Sequence, residues 1–264
     1  MIRALVIGAT GVAGSAGIAA LRERFGDDIN ITGVWYGRKP DEIEIDGTDR
    51  TLFGDITEPG FLDEIATKVS ESFDWCLYAT ALGDVGFPVS EATDEQIRNS
   101  NRLSFDPMLV LEERFDITHM VAYSTFYNLD HQRITYGAMG HSKYAIEQWA
   151  LKSGKSRHIC LRAGAFRSAS SQGIKLLIRR RAKALAESND PLLRSFFANI
   201  KPSIAVENLE TAVFAEEREV YGDTETDVDG IRAAHLAIFD APETIFMNVC
   251  GKRVWSSAEV LPLA

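Results

Sequence analysis

In the segment Tyr136-Gly-Ala-Met-Gly-His-Ser-Lys143 a phenol and an ammonium group stand seven residues apart at the start of a helical pattern. Two helical turns take about 7.2 residues, so both side chains leave the helix on nearly the same face and can address one substrate. A phenol backed by a cation donates a proton to a developing oxyanion, which is what hydride addition to a carbonyl, or to an alkene conjugated with one, requires. One turn before Lys143 stands Met139, which can neither donate nor hold a proton. The donor is therefore expected from Tyr136.

Such a pair needs a hydride source. Ile7-Gly-Ala-Thr-Gly-Val-Ala-Gly14 is a Gly-x-x-Gly-x-x-Gly turn between an apolar run and a helical pattern. Side chains at Gly8 and Gly11 would hold a pyrophosphate away from the amides at the helix start, and Gly14 lets helix and strand pack closely. Thr10 and Val12 lie in the same turn and join the expected cofactor-binding set. An acid after the second strand would accept from the ribose 2′-OH of NAD; this chain has Gly37-Arg38-Lys39, two cations suited to the 2′-phosphate of NADPH/NADP. Glycines at 8, 11, 14 and 17 also argue against reading the apolar stretch after Arg3 as a secretion signal.

The elements that position these residues follow from periodicity. Strands are expected near 2–7, 31–35, 74–79, 118–123, 157–162 and 244–249. Helices are expected near 12–25, 59–70, 94–114, 139–152, 173–187, 206–218 and 230–240. Strands alternating with helices imply right-handed crossovers, a parallel sheet and an α/β doubly wound Rossmann fold. The whole chain, 1–264, is expected to form one such domain, with a substrate loop and helix at about 168–200. In sheets of this kind the ligand lies outside the carboxyl ends of the strands, where Gly8, Ala79, Ser124 and Gly164 fall.

The Tyr-x6-Lys pair and the segment Arg162-Ala-Gly-Ala-Phe-Arg-Ser-Ala-Ser-Ser-Gln-Gly-Ile-Lys175 resemble the enoyl-acyl carrier protein reductases over residues 120–176. Outside that window the chain resembles the short-chain dehydrogenase/reductase superfamily more generally, and its glycine turn resembles the atypical and extended members. The resemblance implies a catalytic set of Tyr136, Lys143, Ser124 after a strand, and Asn101, an asparagine that bends a helix and holds a water for proton relay. It also implies cofactor contacts from Asp55 and Ile56 at the adenine, from Ala79-Thr80-Ala81, from Lys143 at the ribose, and from Gly164, Phe166 and Ser168. Phe126 and Tyr127, ten and nine residues before Tyr136, match the family's aromatic beside the substrate thioester. Homodimers or homotetramers are what this superfamily commonly forms.

Composition narrows the partners. With 28 Lys+Arg against 38 Asp+Glu and a net charge of -10, the surface would repel a phosphate backbone, so no nucleic acid is expected. No transmembrane stretch is expected either. Cys76, Cys160 and Cys250 lie far apart, which suits reduced thiols in a cytoplasmic compartment. The five histidines lack ligand spacing, so no metal is expected. Arg179-Arg-Arg181, with Lys175 and Lys183, offers a basic face for an acidic carrier protein or coenzyme A attached to a small-molecule substrate. Three readings remain open: NADPH-dependent reduction of an enoyl thioester or enone, reduction of a ketone by the same cofactor and donor, and a nonenzymatic NADP-binding sensor.

Overall fold

The computed structural model describes residues 1–37, 43–222 and 224–263, apart from the side chain of Ser170. Unbroken apolar runs become strands covered on both faces. Along β1 (Ile2–Ile7), Ala4 and Val6 enter one core while Leu5 and Ile7 enter the other, the period of two that a pleated strand imposes. β1 pairs in parallel with β2 (Ile29–Trp35) on one side and with β4 (Ser72–Tyr78) on the other. With β3 (Arg50–Phe53), β5 (Asp116–Thr125), β6 (Arg157–Ala163), β7 (Phe246–Cys250) and β8 (Arg253–Ser257), the sheet order is β3-β2-β1-β4-β5-β6-β7-β8. The chain thus forms the expected doubly wound α/β fold, and the order reverses beside β1, which opens a crevice at the strand ends.

Two strands lie outside the sequence expectation. β3 is a four-residue edge strand, too short to show a period. β8 runs antiparallel to β7 through the two-residue turn Gly251-Lys252, with Gly251 at φ 59°; its mixed Arg-Val-Trp-Ser-Ser composition carries no apolar run.

α1 (Val12–Phe25) and α10 (Val228–Asp240) cover one face of the sheet. α2 (Pro59–Lys68), α4 (Asp106–Arg114) and α6 (Gly137–Ala150) cover the other. The single helix expected over 94–114 is two helices, α3 (Asp94–Ser104) and α4, broken at Phe105; Pro107 has no N–H for the preceding turn, so the ladder restarts there. α5 (Asp130–Arg133) is one turn before the Tyr136 segment. α7 (Ala169–Ala186), α8 (Pro191–Phe197) and α9 (Pro202–Tyr221) share a separate apolar cluster, which includes Ile178, Leu193, Phe197 and Leu209 and takes in Ile134. The expected substrate helix therefore rests on the segment that carries Tyr136. No described helix is long and apolar enough to cross a membrane.

Candidate active site

The glycine turn closes on bare backbone. Gly8 has φ 81°, and a Cβ there would stand 2.7 Å from the Ala79 carbonyl oxygen; a Cβ on Gly14 would stand 2.3 Å from the Gly8 oxygen. Ala79 N–H donates to the Ile7 carbonyl at 2.8 Å, which draws the β4 end against the turn. Gly11 N-caps α1 without a side-chain bond, and the first turn carries no acid. The N–H groups of that turn and the positive end of the helix dipole are left for an anion, so these residues fit a dinucleotide pyrophosphate. Thr10 and Ala81 are exposed beside this turn, and Val12, Ala79 and Thr80 are half-buried. Asp55 Oδ1 accepts from Thr57 N–H and Oγ1 at 2.9 and 2.7 Å, opening the turn into α2. Ile56 is 6% exposed and packs within the core. Arg38 and Lys39 lie outside the described residues.

Tyr136 occupies the N-cap of α6, and Gly137 after it has φ 49°. A Cβ on Gly137 would lie 2.6 Å from the Asp84 carbonyl oxygen, so only glycine lets the chain enter α6 here. The first helix amides are taken up by the loop after β4: Gly137 N–H donates to Phe87 O at 2.9 Å and Ala138 N–H to Asp84 O at 3.0 Å. Tyr136 Oη makes no hydrogen bond to a described residue, and burial pushes its phenol above the ordinary range, which keeps it protonated at neutral pH. Lys143 is 7% exposed and its Nζ donates to Tyr123 O at 2.8 Å, leaving two further protons. Burial lowers its ammonium to about 8, against the upward pull of Cys160 and Glu147. Met139 is 8% exposed and lies against Gly83.

Other residues expected at the site are engaged by neighbouring elements of the fold. Ser124 Oγ donates to buried Glu147 Oε1 at 2.7 Å and so faces a structural ion pair. Asn101 does not bend its helix, since its carbonyl accepts Phe105 N–H at 2.9 Å and the break comes only afterwards. Its Oδ1 accepts from Ser142 Oγ, the neighbour of Lys143, at 2.7 Å. Phe126 packs with Tyr221 and Trp255 in a satellite core, and Tyr127 Oη donates to Leu261 O at 2.8 Å; both are 1% exposed, so neither lines an open cleft. Gly164 N–H donates to Val249 O, Phe166 packs against the main core, and Ser168 N-caps α7 in a capping box with Ser171. Of the basic run, Lys175 pairs with Glu210 and Arg181 with Asp84, while Arg179, Arg180 and Lys183 stay exposed.

Four features were missed from sequence. Glu147, one turn after Lys143, forms a buried ion pair with Arg162 at 2.6 Å, with side chains 0% and 2% exposed. A charged residue inside the buried run Ile159–Ala163 of β6 was the available signal. Ser100 and Ser142 hydroxyls meet at 2.7 Å, and Ser104 Oγ donates to Leu82 O at 2.7 Å, tying α3 to α6 and to the loop after β4. Arg181 reaches from α7 to Asp84 Oδ1 and Val85 O at 2.8 and 2.9 Å, and its guanidinium lies over Phe87. α7 is thereby fastened to the same loop that holds the entrance of α6.

The fourth is Glu217, 1% exposed on α9, whose carboxylate accepts Ala165 N–H at 2.8 and 3.0 Å beside Gly164. Burial pushes it up to about 7, with the Ala165 amide pulling the other way. A carboxyl group raised in the folded state stabilises fully below its unfolded value, near 4.5, and loses that contribution as pH rises toward 7. The difference is about 3 kcal/mol. Because buried His235, lowered to about 4, contributes an opposite rise in both proteins over this window, the effect is read as a difference: the stability of Glu217→Gln relative to the wild type should increase between pH 4.5 and 7. Parallel stability profiles for the two proteins across that window would contradict it.

No protein-family model and no curated protein matches the chain in sequence. In three dimensions it is similar to an enoyl-(acyl-carrier-protein) reductase from Anaplasma phagocytophilum in complex with NAD, with TM-score 0.63 and 14% identity, covering 95% of this chain and 93% of that one. A short-chain dehydrogenase/reductase from Burkholderia phymatum in complex with NAD gives TM-score 0.58 and 13% identity over 93% and 88% of the two chains. One from Saccharomyces cerevisiae gives 0.53 and 16% over 80% and 83%. The chain shares the fold of these dehydrogenase and reductase structures at 13–16% sequence identity.

Proposed function

We propose that the protein is an oxidoreductase that uses NADPH to reduce a carbon–carbon double bond conjugated to a carbonyl, most simply in an enoyl thioester or enone. One observation carries this reading: Gly137 places Tyr136 at the entrance of α6, two turns ahead of buried Lys143, while the Met139 position holds no acid. The glycine turn and the uncapped start of α1 would hold the pyrophosphate, with Asp55 and the β4 end toward the adenosine half. Bound there, NADPH supplies the hydride. Tyr136 donates its phenolic hydrogen bond to the carbonyl oxygen as negative charge develops, and its raised pKa keeps it a donor rather than a phenolate. Lys143 holds the Tyr123 carbonyl with one proton and has two left for the cofactor ribose and for positive potential at the donor. Ser142 and Asn101 orient the helix turn beside it.

The deciding experiment is NADPH oxidation with a crotonyl thioester against a matched ketone. Alkene reduction supports the proposal. Turnover of the ketone alone would replace it with carbonyl reduction by the same residues, and binding of NADPH without turnover of either would favour the sensor.

Arg38 and Lys39 support NADPH over NADH. Because an Arg–phosphate contact is a charge-assisted hydrogen bond, Arg38→Ala is expected to cost about 1.5–3 kcal/mol of NADPH affinity and to leave NADH almost unchanged. Fluorescence titration with both cofactors checks this, and equal losses would refute it. Exposed Arg179, Arg180 and Lys183 support docking of a carrier protein or coenzyme A phosphates, and Leu109 and Val110, 38% and 46% exposed on α4, support self-association. Three buried cysteines that form no disulfide among the described residues suit a reducing cytoplasm.

A further inference from the structure

Tyr136 is bracketed by backbone hydrogen bonds from the loop that follows β4. Gly86 N–H donates to Thr135 O at 2.7 Å, Gly137 N–H to Phe87 O at 2.9 Å and Ala138 N–H to Asp84 O at 3.0 Å, so residues 84–87 hold the chain on both sides of the phenol. Asp84 is the junction of that loop. Its Oδ2 accepts Gln96 Nε2 from α3 at 2.9 Å and its Oδ1 accepts an Arg181 N–H from α7 at 2.8 Å, while its own carbonyl holds Ala138. Arg181 also donates to Val85 O at 2.9 Å and lies 5.2 Å from the centre of the Phe87 ring, so one arginine engages Asp84, Val85 and Phe87 together. On the other side of Tyr136, Ile134 shares an apolar cluster with Ile178 and Ala182 of α7. α7 therefore reaches the Tyr136 segment twice. The Arg181 and Asp84 side chains are 38% and 36% exposed, and an ion pair so open to water adds little to global stability. What it fixes is geometry.

We propose that Asp84 is a positioning residue for Tyr136: held by Arg181 and Gln96, it fixes the entrance of α6, and with it the approach of the phenol to the substrate carbonyl, so that turnover depends on where α7 stands. This rests on the reductase reading of Tyr136 and Lys143. Asp84 acts through the backbone of residues 135–138 and not on the reacting atoms. A donor misplaced by about 1 Å can cost about 100-fold in rate, so loosening the loop lowers turnover before it lowers stability or cofactor affinity.

The test joins kinetics to a readout that needs no turnover, hydrogen exchange of the Gly137 and Ala138 amides followed by NMR. The substrate is the crotonyl thioester of N-acetylcysteamine, which carries no phosphate for the basic face of α7 to bind. Arg181→Met keeps the stem and removes the donors. It should lower kcat about tenfold or more and speed exchange at both amides by a similar factor, while KM for NADPH, the urea midpoint and exchange in β5 stay nearly unchanged. Arg181→Lys returns a cation to Asp84 and should recover most of kcat. Asp84→Asn weakens the same contact from the other side and should match Arg181→Met, and it carries the test if Arg181→Met does not fold. Unchanged kcat, a fall in kcat without faster exchange at Gly137 and Ala138, or a loss that Arg181→Lys shows in full would each overturn the inference. If the wild type reduces no substrate, exchange alone decides: faster exchange leaves Asp84 as the residue that positions Tyr136 and removes the reductase reading, and unchanged exchange removes both.

Discussion

Replacing Tyr136 with phenylalanine is expected to lower turnover of an enoyl thioester about 100- to 1000-fold, the usual cost of losing one oxyanion donor, while fold and NADPH affinity persist. The substitution keeps the ring in its half-buried site and removes only an oxygen that bonds to no described residue, so stability should change little. Met139→Tyr is the matching control. Position 139 lies against Gly83, so a phenol there meets the loop after β4 rather than a reacting carbonyl and should not raise alkene reduction. Steady-state kinetics with a cofactor titration on each variant check both statements. Normal turnover in Tyr136→Phe would mean that the oxyanion donor is another group, and the Tyr-x6-Lys reading would fall.

Removing Glu147 is expected to have the largest effect on stability. Arg162 lies 2% exposed and gives Glu147 two hydrogen bonds, at 2.8 and 2.6 Å; Ser124 Oγ and Leu261 N–H also bond to this carboxylate. Without it a guanidinium remains buried, partnered only by the neutral oxygens of Asn248, Ser257 and the Glu259 carbonyl and resting on Phe246. Breaking a buried pair on one side typically costs about 3–5 kcal/mol, so Glu147→Ala should fall by that amount in urea unfolding. The double variant Glu147→Leu/Arg162→Met removes both charges and should be more stable than Glu147→Ala alone. Additive losses among Glu147→Leu, Arg162→Met and the double variant would show that the pair is not coupled. Because Glu147 follows Lys143 by one turn and Arg162 bonds to the β8 hydroxyl of Ser257, the same cluster sets where α6 sits over the sheet. Loss of Glu147 should therefore also lower kcat.

How much of this was legible beforehand differs element by element. The doubly wound order follows from chemistry local to each segment. Strands buried on both faces need continuous apolar runs, helices between them need a 3.6-residue stripe, and the bare-backbone turn needs glycines at 8 and 14; all three are visible in a linear string. The Tyr136–Lys143 spacing is legible for the same reason, since one helix converts sequence separation into a shared face.

The side-chain assignments around it were not local, and there the tertiary structure decided. Ser124, Phe126 and Tyr127 stand at plausible positions in the chain, but their orientation depends on groups far away: Glu147 on α6 takes the serine hydroxyl, and Tyr221, Trp255 and Leu261 close over the aromatics. Buried charges are equally hidden in a sequence, because Arg162 and Glu147 become an ion pair only when α6 is laid on β6, and Glu217 is raised toward neutrality only by burial on α9 against Ala165. The sequence by itself determined the backbone path to the site and the two residues that share one helix. Which polar groups face the cleft and which are consumed in the core was decided only by packing, since desolvation and hydrogen-bond partnership depend on neighbours from other elements.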